Sequence, residues 1–142
     1  KFPDLLEEHN NIKIDYEADG IDFEPYEEFN PEEDTASWIK AWTGNNELNG
    51  KEYKIFGQDG TGGYAAFWCV REVEDLLQQP IVFFGSEGEL GVVASSFYDY
   101  VWLFANGIGP YEAVAYPEIE NRINSNFLNF FSNYYKWYII TI

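Results

Sequence analysis

The middle of the chain carries apolar residues in runs that are typical of β-strands. Two runs, Tyr64–Val70 and Ile81–Phe84, are rich in aromatic and β-branched residues, and a third, Leu90–Ala94, follows a short polar turn. Each run is bounded by Gly, Asp, Ser or Pro, which is the local signature of a strand. A further run, Glu52–Phe56, precedes them, so the centre of the chain is predicted to contain four strands.

Polar segments separate these runs, and two of them are rich in glycine. Because glycine adopts backbone angles that other residues avoid, Gln58–Gly63 is expected to form a tight connection between the first two strands. Gly85–Glu89 is expected to join the last two in the same way. The longer segment Val70–Gln79 predicts either a short helical connection or a wide loop.

The apolar spacing becomes helical on either side of this block. The predicted helices are Leu5–Glu8; Thr35 to Gly44, capped by Asp34 or Thr35; Ser95 or Ser96 to Gly107; and Pro117 to about Tyr134. The last rests on apolar residues three and four positions apart, namely Ile119, Ile123, Phe127, Phe130 and Phe131. Tyr111–Tyr116 is too short for its pattern to distinguish helix from loop.

The N-terminal part of the chain shows weaker strand patterns. Alternating apolar residues predict a strand over Asn10–Tyr16 with one dry face. Gly20–Tyr26 is expected to be extended and, because it contains Pro25, to lie at the edge of a sheet. At the other terminus, residues 134–142 are apolar and β-prone, so they are expected to be covered by this domain or by another chain.

Length and composition predict one domain with a large aromatic core. The chain has 142 residues, of which 46% are hydrophobic and 20% aromatic, and neither a linker nor an internal repeat interrupts it. Its single cysteine, Cys69, lies in a strand-like run and is expected to be a buried, inert thiol. The composition is compatible with a reducing compartment, so a cytoplasmic protein is expected, and the pattern favours no particular oligomeric state.

The formal net charge of −17 limits the kinds of molecule that the protein is expected to bind. Residues 1–37 alone carry 13 acidic residues against two basic ones. Nucleic acid and anionic membrane surfaces are excluded as partners because both attract lysine and arginine and repel carboxylates. The charge favours rapid association with a basic protein, although a solubilising surface would also explain it.

Few residues form a pattern that could carry catalysis or bind a metal. His9 is the only histidine and has no second ligand at a suitable spacing, so neither a metal site nor a cofactor is expected. Glu87 and Glu89 could act as a glycosidase pair, but a glycine turn more often displays solvated carboxylates. A calcium site that used Asp59 with these two glutamates would lack the usual loop spacing. Asp59 could instead bind its own backbone.

The tryptophans are expected to pack in the core rather than to form a site. Core packing is favoured for Trp38, Trp42, Trp68 and Trp102. Trp42 and Trp68 are also candidates for lining a groove.

Three segments of the central block resemble the SUKH superfamily. Phe56–Tyr64 through Trp68 is similar to the glycine turn that enters the family's central strand, and Pro80–Glu89 to the next strand and turn. Ala94–Tyr100 through Leu103 is similar to the helix that follows, and Gly107–Glu112 continues it. The resemblance covers residues 52–114, between an acidic N-terminal segment, 1–50, and a C-terminal helix and tail, 117–142.

The resemblance implies a single α+β domain with a mostly antiparallel central sheet and helices packed against it. It further implies a non-enzymatic immunity protein that binds and neutralises a cognate basic toxin, often a nuclease. The candidate contacts are Asp59, Glu87 and Glu89 on the turns, Glu27, Glu28, Glu32 and Glu33 in the N-terminal segment, and Trp68.

Two other functions stay open at this stage. The same superfamily contains fungal regulators of cell-wall assembly and glucan synthesis, which implies a regulatory or scaffold domain that binds cellular proteins. A carbohydrate-active enzyme that uses Glu87 and Glu89 is the third hypothesis.

Overall fold

The computed structural model describes the backbone of residues 1–141 and the side chains of residues 1–135. Five strands form one sheet in which every neighbouring pair is antiparallel and the spatial order follows the chain. The strands are β1 (Glu24–Pro25), β2 (Tyr53–Gln58), β3 (Tyr64–Trp68), β4 (Ile81–Phe84) and β5 (Leu90–Ala94). The predicted α+β class with an antiparallel sheet is therefore confirmed.

Six α-helices and one 3₁₀ turn complete the described fold. The helices are α1 (Asp4–Asn10), α2 (Tyr16–Asp19), α3 (Glu32–Thr43), α4 (Phe97–Ala105), α5 (Pro110–Ala115) and α6 (Ser125–Thr141). The segment between β3 and β4 is a wide loop that ends in the 3₁₀ turn Leu76–Gln78. None of the helices in the described residues is both long and apolar enough to cross a membrane.

Helices cover both faces of the sheet, so strand residues are buried on alternate sides. On one face, Ile55, Ala66, Val82 and Phe84 form a cluster with Ile39 of α3. On the other face, a larger cluster joins residues from the strands with residues from α1, α4 and α6, including Phe56, Phe67, Leu6, Phe104 and Phe127. All four residues of β4 are buried, which explains why its sequence is a continuous apolar run.

His9 lies inside the larger cluster, although its neighbours in the sequence are polar. Only 2% of its surface is exposed, and its Nε2 atom has no hydrogen-bond partner. Five rings surround the imidazole at centroid distances of 5.0–5.7 Å, namely those of Phe97, Tyr100, Phe104, Phe127 and Phe130. Burial lowers the pKa of His9 from 6.5 to about 3, because an apolar environment disfavours the charged imidazolium.

Glu112 joins the N-terminal segment to α5 through a buried carboxylate. Its Oε2 accepts a hydrogen bond from the Asp22 N–H at 3.0 Å, and its Oε1 accepts one from the Gly109 N–H at 3.1 Å. Desolvation raises the pKa of Glu112, while the backbone donors of Asp22 and Gly109 act in the opposite direction. The carboxylate thus satisfies two backbone groups that are 87 residues apart in the chain.

The strand predicted over Asn10–Tyr16 is wrong. Asn10 ends α1, and its side-chain amide donates to the carbonyls of Tyr26 and Phe56 at 3.0 and 3.2 Å. Asp15 then caps α2 by accepting from the N–H groups of residues 17 and 18. These side-chain hydrogen bonds offer the backbone an alternative to a sheet ladder.

The prediction that the last helix begins at Pro117 is also wrong. The Arg122 N–H donates to the Asn106 carbonyl at 2.8 Å, which holds this part of the chain in an irregular conformation. The Asn124 side chain then accepts from the N–H groups of residues 126 and 127, so that α6 begins at Ser125. Ile119 and Ile123 are consequently exposed.

Two predicted helix caps differ from the structure. α3 begins at Glu32 after Pro31, so neither Asp34 nor Thr35 caps it, although Gly44 ends it as predicted with φ 70°. Ser96 is the N-cap residue of α4, but its side chain makes no capping hydrogen bond, and the Ser95 hydroxyl donates to the Asp99 carboxylate.

The remaining predictions have mixed outcomes. β1 lies at a sheet edge as expected, and Tyr111–Tyr116 is mostly α5. Trp102 was expected in the core but is 46% exposed, with one face packed on Phe131. The described backbone of residues 134–141 is helical rather than extended, and what covers the side chains of 136–142 lies outside the described residues.

We predict that His9 makes folding sensitive to mild acid. The unfolded chain binds a proton at His9 near pH 6.5, whereas the folded chain does so only near pH 3. Stability is therefore fully present above pH 6.5 and falls by about 1.4 kcal/mol per pH unit below it, which is about 2 kcal/mol at pH 5. Urea unfolding between pH 7 and pH 5 measures this loss.

His9→Phe is the matched variant, because it keeps a ring in the aromatic cluster and removes the titrating group. Between pH 7 and pH 5, the free energy of unfolding should fall less in the variant than in the original protein. The difference between the two decreases should be about 2 kcal/mol. An equal pH dependence in the two proteins would contradict the assignment of this effect to His9.

Candidate functional site

Two of the predicted site segments meet at one end of the sheet. The connection between β2 and β3 and the connection between β4 and β5 lie side by side, and the hydroxyls of Thr61 and Ser86 are 3.1 Å apart. Asp22 also reaches this end, where its carboxylate accepts from the Gly60 N–H at 2.9 Å. The glycine-rich turns of the sequence therefore form one continuous surface.

Asp59 stabilises its own turn and does not face a partner. Only 1% of its surface is exposed. Its Oδ1 accepts hydrogen bonds from the N–H and the hydroxyl of Thr61 and from the Gly63 N–H, each at 2.8 Å. The prediction that this carboxylate contacts a partner is wrong, because a carboxylate held by three donors in the interior cannot reach one. The alternative expectation, that Asp59 binds its own backbone, is confirmed.

Glu87 and Glu89 lie on the turn between β4 and β5. Glu87 is exposed, whereas Glu89 is half-buried and its carboxylate folds over Gly85, where it would overlap any added Cβ atom. The Gly85 N–H donates to the Glu89 carbonyl at 2.7 Å, and the Gly85 carbonyl accepts from the Trp42 indole at 3.1 Å. The turn is thus fixed from both sides, with Glu87 pointing to solvent.

The four predicted glutamates of the N-terminal segment are all exposed. They belong to a set that we call the acidic segment, which contains no basic residue between its ends: Glu24, Glu27, Glu28, Glu32, Glu33 and Asp34. The segment is fastened along β2 by the N–H of Tyr26, which donates to Phe56, and by that of Asn30, which donates to Ile55, both at 3.0 Å. A shallow hollow of about 450 Å³ lies over residues 24–31.

The acidic segment and the β4–β5 turn lie at opposite edges of the sheet. The first follows β1 and β2, and the second joins the last two strands in the order. Four inter-strand spacings of about 4.8 Å separate β1 from β5, which places the two groups on the order of 15–20 Å apart. The predicted carboxylates therefore form two surfaces rather than one.

Trp68 joins neither surface. It is the last residue of β3, is half-buried, and pairs with Tyr53 at the end of the sheet away from the two turns. Its ring packs against the smaller cluster under α3. The structure gives it a packing role in the sheet.

Leu90 and Val92 were not among the predicted site residues, although both are prominent on the surface. They are 58% and 60% exposed. The apolar run that contains them predicts a strand, but it gives no indication that this strand is the outermost one. Only the order of strands reveals that their side chains extend past the covering helix.

Groups that could hold a metal are not found in the described part of the chain, since no three His, Cys, Asp or Glu side chains converge there. Cys69 is half-buried, and burial raises the pKa of its thiol, partly offset by Lys54. A thiol with a raised pKa is a poor nucleophile at neutral pH. Neither a metal-binding group nor a reactive thiol is therefore indicated in the described residues.

No protein-family model, curated protein or solved structure matches this chain. The resemblance to the SUKH superfamily therefore stays a prediction that rests on the residues quoted above. The geometry of the two acidic surfaces and of the outer strand is the basis for the proposals that follow.

We predict that Asp59 contributes to stability and that Glu87 does not. Asp59→Ala removes the acceptor of three hydrogen bonds, of which the one from Gly63 is buried, and should lower the free energy of unfolding by about 2–4 kcal/mol. Asp59→Asn keeps one oxygen and should cost clearly less. Glu87→Gln, on the same end of the sheet, is the control and should change stability by less than about 0.5 kcal/mol. Urea unfolding with the three variants tests this, and equal effects at Asp59 and Glu87 would refute it.

Proposed function

We propose that this protein is an immunity protein of the SUKH type, which binds a basic protein toxin and neutralises it without catalysing a reaction. The observation that carries the proposal is the net charge of −17 together with the exposure of every carboxylate in the acidic segment. In this proposal the protein acts in the cytoplasm of the cell that it protects, where Cys69 stays reduced.

The charge would act mainly on the rate of association. Opposite charges on two proteins attract each other over about one Debye length, which is about 8 Å at physiological ionic strength and longer at low salt. Such steering raises the rate of encounter by a factor of about 10–1,000. A protein that must intercept a toxin before it reaches its target benefits from rapid capture.

A nuclease is the toxin class that fits the charge best. An enzyme that binds nucleic acid presents lysine and arginine to the phosphates of its substrate. A strongly acidic protein competes for the same basic surface and blocks it by occupation. Neutralisation of this kind requires no bond to be made or broken.

The carbohydrate-active alternative receives less support. Its two carboxylates are on a turn, with Glu87 exposed and Glu89 folded over Gly85. Two hollows of the described surface lie elsewhere, around residues 18–19 and 122–126 and around residues 24–31. A glycosidase needs both carboxylates to flank a bound sugar.

The test begins with the reading frame next to the gene of this protein in the source genome. Expression of that frame alone should arrest growth, and co-expression of the present protein should restore it. Purified together, the two proteins should form a complex. Growth arrest that co-expression does not relieve would refute the proposed function.

We predict that association of the complex depends steeply on salt. The association rate, measured by stopped-flow fluorescence, should fall at least about tenfold between 10 and 150 mM NaCl, because ions screen the attraction. The variant Glu27→Gln/Glu28→Gln/Glu32→Gln/Glu33→Gln removes four charges from the acidic segment and should flatten this dependence. Glu118→Gln/Glu120→Gln, in the loop before α6, is the control and should have a smaller effect. A rate independent of salt would contradict electrostatic capture.

A further inference from the structure

The two edges of the sheet differ in how they are protected. On the β1 side, the strand has two residues, one of which is Pro25, and the following segment donates hydrogen bonds to β2 through Tyr26 and Asn30. Short strands and proline are devices that prevent another chain from pairing with an edge. On the other side, β5 has five residues and is the last strand in the order.

The outer backbone groups of β5 follow from its register. The Gly85 N–H donates to the Glu89 carbonyl, and Leu90, Gly91 and Val92 then lie opposite Phe84, Phe83 and Val82. Bonded and non-bonded pairs alternate in an antiparallel ladder. Gly91 therefore points its polar groups towards β4, whereas Leu90 and Val92 point theirs away from the sheet. Within the described residues, neither N–H donates to a loop or helix.

The side chains of the same two residues form an exposed apolar pair. Leu90 and Val92 lie on the face that α3 covers, since their partners Phe84 and Val82 belong to the cluster under that helix. α3 leaves most of this pair uncovered, since the two side chains are 58% and 60% exposed. The other face of the strand is closed, because Val114 of α5 packs directly on Gly91.

The length of the open edge is limited at both ends. Val82 pairs with Val92 and Ile81 with Ala94, so Val93 has no partner and forms a bulge. Beyond it, the Arg71 guanidinium donates to the Ser95 carbonyl at 2.8 Å. An added strand can therefore pair along residues 89–92, next to the carboxylates of the β4–β5 turn.

Charge decides which occupant fits this edge. A second copy of the chain would bring another net charge of −17 to this edge. Like charges juxtaposed across an interface disfavour the wrong partner. An extended segment with lysine or arginine between apolar residues fits better. Its backbone would pair with the outer edge of β5, its apolar side chains would contact Leu90 and Val92, and its basic side chains would contact the carboxylates of the β4–β5 turn.

We propose that β5 binds an extended basic segment of the partner protein by strand addition. The outward backbone groups of Leu90 and Val92 pair with that segment, their side chains contact its apolar residues, and Glu87 contacts a basic one. The proposal rests on the proposed function for the basic character of the partner, and it names the site at which that partner is held after capture.

A synthetic peptide of alternating lysine and valine, seven residues long with blocked termini, is the probe. Amide hydrogen exchange of the full-length protein, followed by NMR at 10 mM NaCl, should show the N–H groups of Leu90 and Val92 exchanging at least about tenfold more slowly when the peptide is present. A peptide with proline in place of the central valine should give no protection, because it cannot complete the ladder.

Val92→Pro is the decisive variant, because it removes an outward N–H that the folded protein does not use. It should weaken peptide binding at least about tenfold. Val92→Lys is the second variant, which keeps the N–H and places a like charge in the site, and it should weaken binding similarly. Glu27→Gln/Glu28→Gln, on the opposite edge of the sheet, is the control and should leave the protection at Val92 in place.

Three results would overturn the proposal. They are protection confined to the acidic segment, binding that is unchanged in both Val92 variants, and self-association of the protein through β5 in sedimentation experiments. If Val92→Pro binds the toxin with undiminished affinity and the same salt dependence, the strand site is refuted but the proposed function is not. A complex that never forms refutes the proposed function instead.

Discussion

Burial of the sheet on both of its faces is the constraint on which the rest of this structure depends. β4 is buried along its whole length, so it stabilises the fold only if helices cover it from both sides. α3 supplies one cover and α1, α4 and α6 supply the other, each through aromatic or aliphatic side chains. Burial of such side chains contributes about 1.5–3 kcal/mol each, which offsets the entropy lost on folding. The many acidic residues are thereby left to the periphery.

The helical cover includes groups that a purely apolar core would not need. His9 is held as a neutral imidazole among five rings, and Glu112 is held as a buried acceptor for two backbone donors. Asp59 plays the same part in its turn. The bonds that Glu112 accepts from Asp22 and that Asn10 donates to Phe56 fasten the N-terminal segment to α5 and to the sheet, in addition to the packing.

Local pattern predicted the elements whose boundaries depend on local chemistry. β4 and β5 have the predicted limits because each is an apolar run between turns, and α3 ends at Gly44 because glycine adopts a positive φ without strain. The pattern was wrong where distant partners compete. Asn10 bonds the carbonyls of Tyr26 and Phe56 instead of continuing a strand, and the chain around Arg122 pairs with Asn106 instead of forming a helix. Such contacts leave no periodic signal in the sequence.

The sequence predicted which kinds of residue form the candidate site, but not where they lie relative to one another. The sequence indicates an acidic protein, whereas only the strand order shows that the acidic segment and Glu87 lie on opposite sides of the sheet.

The same order leaves β5 as an edge strand beside the carboxylates of the β4–β5 turn. A flat apolar edge normally promotes pairing between copies. Here each copy carries the same excess of carboxylates, so self-pairing is opposed by repulsion while pairing with a basic chain is favoured. In the proposed strand addition, charge and edge therefore act together, because the charge would select the chain that the edge binds.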